Sequence, residues 1–465
     1  MKEHKDFFSI RSAYLIGIKG TAMEALAEIF KARHVAVEGS DVTDVFYTDA
    51  LLEKMKIKVH QGFDAKNIPR NADIIIHSTA YNAENNAEVA EATKRKLAVM
   101  NYPQALGMLF NAMRGIAVCG THGKTTTTGM LAEILRGAGL SPTALVGSKV
   151  QNWGGSSLHG TGPDFVLEAD EYQDKLQYYR PKGVIVTNID YDHPDFFKTK
   201  KQYVAVFKKF LDRIPKDGFL VFNAGDKEAA GIARKIKARC ISFGEGKGDL
   251  AILRRVPINN GGQRIFFTSA EHDGKQFEVH ISLSGLHNAL DAMAALAAAS
   301  QLGVDLKKSM RILKKFRSTK RRFQEMGSWK GGKLIDDYAH HPNEILATLA
   351  GAKEKFPSSS IVVGFHPHTF TRTKALFKEF SESFAMADKV YVLDIYSSAR
   401  EAGKKIKVHS RDLADAIRRQ GVAAVYVPTI QELAKTMKKE MNPNTVFISM
   451  GAGDIWKVHE LIKGS

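Results

Sequence analysis

The sequence predicts an α/β protein of three successive units, each built on a mostly parallel sheet. Three observations carry this. Short apolar, β-rich runs alternate with helical patterns along most of the chain, and such alternation requires crossover connections and parallel strands. One stretch breaks the rhythm and reads as antiparallel hairpins. The length, 465 residues, corresponds to about three domains of roughly 150 residues each.

The elements follow in order. "AYLIGI" (13–18) is a strand, followed by a glycine turn, the helical "MEALAEIFKA" (23–32) and the strands "VAVEG" (35–39) and "ADIIIHS" (72–78). "MRGIAVCG" (113–120) opens a second series, continued by "KGVIVTNI" (182–189) and "GFLVFNAG" (218–225). Residues 250–283 form the exception: "LAILRRV" and "QRIFFTSAEHDGKQFEVHISL" alternate in the manner of hairpin strands around an Asp-Gly turn. The parallel rhythm returns with "KLIDDY", "SSIVVGF", "KVYVLDI", "AAVYVP" and "NTVFISMGAGD". The expected units are 1–110, 111–318 and 319–465. The first boundary lies where a new strand runs into a glycine loop, the second at the basic stretch "KKFRSTKRRF" after an alanine-rich helix.

Composition narrows the function. With 44% apolar residues the chain can fill several cores, and its two cysteines, Cys119 and Cys240, cannot build a disulfide framework. Both read as buried structural thiols in a reducing, cytoplasmic setting. The N-terminal residues lack the apolar core of a secretory signal. No apolar run approaches the roughly 18 residues of a membrane span, since Asp291 interrupts the best stretch, "ALDAMAALAAA". The net charge of +17 invites a nucleic-acid partner. The basic residues, however, are scattered over helix faces with no aromatic platform or basic tail, which favours solvated surfaces around an anionic small-molecule site.

The chemistry starts at "VCGTHGKTTTT" (118–128). The phosphate-loop pattern G-x-x-x-x-G-K-[ST] would put its first glycine at Val118, but the glycine stands at 120 instead. The shorter loop keeps the required context, a strand before it and a helix after it. Gly120 and Gly123 permit the curvature, and the backbone N–H groups of Thr121 and His122 can face phosphate oxygens. Lys124 supplies a point charge, and Thr125 or Thr126 offers a hydroxyl to Mg²⁺. Magnesium needs further oxygen ligands. Two strand ends offer them: "FVLEADEY", with Glu168, Asp170 and Glu171, and "VTNIDYDHPD", with Asp190, Asp192 and His193.

These motifs resemble the Mur ligase family. The short loop, "EADE", "TNIDYDH", "GLHNALDAMAA", "KRRFQ" and "DDYAHHPNE" occur in that family's order and spacing over essentially the whole chain. The resemblance implies a Rossmann-like UDP-binding domain, a central ATPase domain and a C-terminal Rossmann-like domain. "HPHTFTRTKAL" (366–376) and "DIYSSARE" (394–401) resemble the branch that joins L-alanine to UDP-N-acetylmuramate. The implied reaction transfers the γ-phosphoryl of ATP to the muramyl carboxylate, and the amine of L-alanine then captures the acyl phosphate.

The resemblance also implies site residues. Lys124 binds the β/γ-phosphates; Thr125 and Glu168 hold one Mg²⁺; His193 with Glu168 holds a second. Asn188 lies near the γ-phosphate and Asn288 approaches the adenine. Arg322 and Asp337 engage ATP from across the cleft, with His340 and His341 near the ribose or the reacting centre. His368 and Arg372 meet the incoming alanine and the acyl phosphate, since a neutral histidine can take a proton and an arginine can grip a carboxylate. In the first unit, Gly17, Gly20 and Thr21 would meet the UDP diphosphate, Ser78 and Thr79 would line it, and Asp41 would lie near the uridine. There the chain departs from the family's G-I-G-G-x-G-M: Lys19 and Ala22 replace glycines. Lys19 is read either as a diphosphate ligand or as a solvent-facing lysine.

The expected cofactors are ATP and Mg²⁺. The expected partners are UDP-N-acetylmuramate and L-alanine, without nucleic acid or membrane insertion, for a monomer or homodimer. Three alternatives stay open: a related ligase that attaches L-alanyl-γ-D-glutamyl-diaminopimelate, a basic phosphate-loop ATPase acting on nucleic acid, and a non-catalytic nucleotide-binding relative.

Overall fold

Three sheets, one in each third of the chain, organise the computed structural model, which describes residues 7–46, 48–258, 261–397, 401 and 406–464. The first is five-stranded and parallel throughout, in the spatial order Lys58–Gln61, Ala36–Asp41, Ser12–Ile16, Ile74–His77, Val99–Asn101. Ser12–Ile16 is central, and successive connections leave it in opposite directions. Ligands of open α/β sheets bind at such a switch point, outside the strands' carboxyl ends. Gly17 begins the turn there, and the helix Thr21–Ala32 follows.

The central sheet has ten strands. From one edge they run Lys275–Ile281, Gln263–Ser269, Leu250–Pro257, Arg239–Glu245, Phe219–Asn223, Gly183–Val186, Arg114–Cys119, Asp164–Glu168, Thr143–Val150 and Gly155–Leu158. The middle is parallel. The expected hairpin strands over 250–283 pair antiparallel at one edge. Their turn is the Asp-Gly pair, with Asp273 at φ 53° and Gly274 at φ 71°, the left-handed pair that tight hairpins favour. A second antiparallel pair, Thr143–Val150 with Gly155–Leu158, closes the other edge; the sequence reading does not anticipate it. The third sheet has six strands in the order Gln324–Trp329, Gly332–Asp337, Thr445–Met450, Ser360–Phe365, Lys389–Val392, Ala423–Tyr426. Only its first pair is antiparallel.

The alanine-rich helix Leu286–Gln301 is buried along most of its length. Its small side chains let it lie close against the helix Lys124–Gly137, where Met130, Leu131, Ile134 and Leu135 share its core. On the other face of the central sheet, one apolar cluster continues from Ile29 and Phe30 of the first unit to Phe110, Phe165 and Phe210. The first two units are thus joined by an apolar interface. Cys119 is buried, Cys240 half-buried, and both are free thiols. Among the described residues no helix is long and apolar enough to cross a membrane.

Candidate active site between the central and C-terminal units

The strand Arg114–Cys119 ends in the phosphate loop, and the helix Lys124–Gly137 begins directly after it. Both glycines are required by the local geometry. Gly120 sits at φ 129°, where a Cβ would stand 2.2 Å from Thr187 Oγ1. Gly123 sits at φ 80°, where a Cβ would stand 2.4 Å from Asp291 Oδ1. The loop is braced from the next strand: His122 N donates to Asn188 Oδ1 at 2.9 Å, and Asn188 Nδ2 donates to His122 O at 3.1 Å. Both ends of the Asn188 amide are therefore used to hold the loop. Thr121 Oγ1 donates to Asp190 O at 2.8 Å.

Lys124 folds back under this loop, and its ammonium donates to Thr121 O and to Glu171 Oε2, both at 3.1 Å. Burial lowers the lysine's pKa, but Glu171, Asp170 and Glu168 outweigh it and hold the group above its ordinary value. Thr125 Oγ1 donates to Glu168 Oε1 at 2.9 Å, bringing these two expected magnesium ligands together. The third is placed differently. His193 Nε2 faces Glu171 Oε1 at 3.7 Å, and ligand atoms of Asp170, Glu171 and His193 lie within 4.8 Å of one another. Glu168, at the end of its strand, instead turns toward Thr125 and accepts from Gly147 N. The carboxylates beside His193 are those just past the strand.

A cleft of about 240 Å³ opens on the other side of the loop. His122, Gly123, Thr126, Asn188 and Asn288 line it from the central unit, and Arg322 and Asp337 from the C-terminal one. Seven of the expected nucleotide residues (His122, Gly123, Thr126, Asn188, Asn288, Arg322 and Asp337) thus share one cavity. Asn288 Nδ2 donates to Ser284 O at 2.7 Å. Phe243, Leu290 and Ala347 add apolar surface. Burial pushes Asp291 up to about 7 and Asp337 up to about 6, although Phe323 N and Ala339 N donate to Asp337.

Glu344, in the first turn of the helix Pro342–Lys355, is approached by two imidazoles and a guanidinium. His122 Nδ1 and His340 Nδ1 both approach it at 3.2 Å, and Arg322 Nη1 at 3.6 Å. Burial opposes its charge, yet His340 and His122 hold it well below the usual carboxyl range. Neighbouring residues also join the two units. Asn343 Nδ2 donates to Asp190 Oδ2 at 2.8 Å, and the His341 ring lies 4.6 Å from that of His122. Burial and the nearby His122 push His341 down to about 4, so it is neutral at pH 7. Arg372 donates to both oxygens of Asp192, at 2.9 and 3.1 Å, and its Nη1 lies 3.2 Å from His368 Nδ1. The sequence reading offers Arg372 to a substrate carboxylate; here the Asp192 carboxylate takes two of its N–H groups and His368 faces Nη1. The His368 ring stacks on Tyr396 at 5.6 Å. Residues 398–400 of "DIYSSARE" lie outside the described residues.

In the first unit, Gly17 (φ 82°) packs so tightly that a Cβ would lie 2.9 Å from both Ser78 Cβ and the Tyr81 ring. Gly20 precedes the helix Thr21–Ala32 and lends it no side-chain cap. Asp41 accepts from Lys19 N and Val42 N, at 2.7 and 2.8 Å. Thr21 and Thr79 are exposed and Ser78 is half-buried beside them. Lys19 corrects both of its expected readings. It is 3% exposed, and its ammonium is bonded to Val42 O, Asp44 O and Gln61 Oε1.

Sequence reasoning passes over Asn343, Glu344 and Asp291 as site residues. Glu344 carries one local signal, an acidic residue in a helix's first turn beside two histidines, but one of its partners, His122, lies in another domain.

The family description "Mur ligase family, catalytic domain" matches residues 12–114, "Mur ligase middle domain" matches 118–299, and "Mur ligase, glutamate ligase domain" matches 321–453. The chain is 39% identical over 448 residues to the UDP-N-acetylmuramate–L-alanine ligase of Desulfitobacterium hafniense (strain Y51), covering 96% of this chain and 98% of that one. The structure of the UDP-N-acetylmuramate-alanine ligase of Thermotoga maritima superposes with a TM-score of 0.79 at 28% identity, covering 97% of this chain and 98% of that one. A murein peptide ligase of Psychrobacter arcticus shares the fold at a TM-score of 0.68 and 24% identity, covering 98% of each chain. With the phosphate loop and the cross-domain cleft in place, these matches settle the family: the chain belongs to the Mur ligases.

Proposed function

We propose that this protein is an ATP-dependent, ADP-forming ligase that joins L-alanine to UDP-N-acetylmuramate through an acyl phosphate. The observation that carries this reading is the single cleft in which the phosphate loop of the central unit faces Arg322 and Asp337 of the C-terminal one. Phosphoryl transfer consists mainly of positioning and charge neutralisation; this cleft brings Arg322 opposite the phosphate loop, and Lys124 lies under the same loop on its other side, while the Thr121 and His122 N–H groups expected to face phosphate are held by Asn188. The muramyl carboxylate oxygen attacks the γ-phosphorus and ADP leaves. The alanine nitrogen then adds to the acyl carbon, and the adduct expels phosphate as the amide forms.

Lys124 would exchange Glu171 for phosphate oxygens, and Arg322 would reach the nucleotide from the opposite wall. His368 and Arg372 would receive alanine, with a neutral histidine able to take the proton that the ammonium must lose. Gly17, Gly20, Thr21, Asp41, Ser78 and Thr79 would form the UDP-sugar site. The hard oxygen donors fit Mg²⁺: Thr125 with Glu168 would hold one ion, and His193 with Asp170 and Glu171 a second. Magnesium, when bound, neutralises charge on the transferring phosphate.

The test is phosphate release from ATP with UDP-N-acetylmuramate, Mg²⁺ and a panel of amines. Turnover with L-alanine supports the reading. Turnover only with L-alanyl-γ-D-glutamyl-diaminopimelate would replace it with the peptide-attaching ligase.

A further inference from the structure

Lys19 stands in the turn after the first strand, where a charged side chain would be expected to reach water, yet only 2% of its side chain is exposed. A buried ammonium is tolerated when its protons and its charge are both matched. Four oxygens surround this one: Val42 O and Asp44 O at 2.9 Å each, Gln61 Oε1 at 3.2 Å, and Asp49 Oδ1 at 3.2 Å. The main chain of Lys19 is tied to the same region. Its N–H donates to Asp41 Oδ2 at 2.7 Å, and its carbonyl accepts from Thr48 Oγ1 at 2.6 Å.

Two consequences follow. First, the ammonium has no proton left for a phosphate. The N–H groups of the turn are also engaged: those of Gly17 and Ile18 donate to Ser40 O, that of Lys19 to Asp41, and that of Gly20 to Gly17 O. An anion at this turn must be met by the start of the helix Thr21–Ala32, which Gly20 leaves without a side-chain cap. Second, the segment after Asp41 leaves the sheet and presents Val45 and Phe46 to solvent, at 88% and 44% exposure. Such a segment has little of its own to fix one shape. The ammonium draws its carbonyls, the strand end at Gln61 and the helix start at Asp49 onto one point.

We infer that Lys19 is a positioning residue for the nucleotide-sugar, an internal cation that holds Val42–Phe46 and Asp41 as a preformed wall beside the Gly17–Thr21 turn. This rests on the reading of that turn as the UDP-N-acetylmuramate site. Preorganisation of this kind appears in binding of one substrate and leaves the chemical step alone.

Two variants test it, Lys19→Met, which keeps length and removes charge, and Asp49→Asn, which weakens the cradle more gently. Calorimetric titration with UDP-N-acetylmuramate and steady-state kinetics are the measurements. For Lys19→Met the expected result is a KM for the UDP-sugar raised about tenfold or more, with kcat and the KM values for ATP and L-alanine within about twofold of wild type. Asp49→Asn should shift the same constant in the same direction, and the double variant should show less than the sum of the two effects. Lys19→Gly should recover UDP-sugar affinity when n-butylammonium is added, a response that general loosening of the fold would not give. If wild type binds the UDP-sugar and neither variant changes its KM, the inference is wrong. If Lys19→Met does not fold, an unchanged KM in Asp49→Asn overturns it equally. If wild type fails to bind the UDP-sugar, the substrate reading falls and takes this inference with it.

Discussion

Arg372 and Asp192 form a buried, two-pronged ion pair that fastens the C-terminal unit to a strand end of the central one, with each side chain only 6% exposed. Burial opposes the charge on Asp192, but the guanidinium holds its carboxyl well below the ordinary range. Removing the arginine leaves a buried carboxylate without its guanidinium, with the His193 main-chain N–H at 2.6 Å still donating to it.

Arg372→Met should therefore destabilise the protein by about 3–5 kcal/mol, the usual result of breaking such a pair from one side. Adding Asp192→Asn should restore a substantial part of the loss. Denaturant unfolding of both variants checks this. A loss below about 1 kcal/mol for the single variant would mean that the pair behaves like an exposed one.

Lys124→Met should reduce phosphate release by about 10²-fold or more, as expected for loss of a charge aimed at the transferring group. The circular dichroism spectrum should be unchanged. Glu168→Gln should leave the fold intact and raise the Mg²⁺ concentration for half-maximal rate by roughly tenfold or more. A magnesium titration that superposes on wild type would remove Glu168 from the metal's ligands.

Glu344 brings His122, His340 and Arg322 onto one carboxylate across the domain junction. Glu344→Gln should lower kcat by about tenfold or more through misplaced neighbours while the KM for UDP-N-acetylmuramate stays put. A kcat equal to wild type would make Glu344 a packing residue only.

Burial raises Asp291 from 3.8 to about 7, the hydroxyl of Thr127 and the charge of Arg322 offsetting only part of it. Between those values the folded chain keeps a proton that the unfolded chain has released. The stability from this group is therefore complete below about pH 4 and is lost as pH rises through about 7. Relative to Asp291→Asn, wild type should lose up to roughly 4 kcal/mol between about pH 4 and 8. Unfolding measured for both proteins across that range checks it; parallel curves would show that Asp291 ionises normally.

Much of this arrangement is legible in the sequence because it is local. The shortened loop announces itself through Gly120, Gly123 and Lys124, and the hairpin through Asp273-Gly274. What stays hidden depends on distant partners. The edge hairpin Thr143–Val150/Gly155–Leu158 reads TALVGSKV and GSSL, without a clear alternation. Glu344 acquires its role only when the helix Pro342–Lys355 docks against the phosphate loop. His193 meets Glu171 because the chain turns just past its strand, and spacing alone does not say which carboxylate faces it. Lys19 looks like a surface or ligand lysine until the carbonyls of Val42 and Asp44 fold over it.

The most direct test of the central claim follows the oxygen atoms. UDP-N-acetylmuramate carrying ¹⁸O in its lactyl carboxylate is turned over with ATP and L-alanine, and the released phosphate is analysed by mass spectrometry. Activation as an acyl phosphate predicts one carboxylate ¹⁸O in each phosphate, because the oxygen that attacks the γ-phosphorus leaves with it. Phosphate free of the label, formed alongside the amide, would contradict the account.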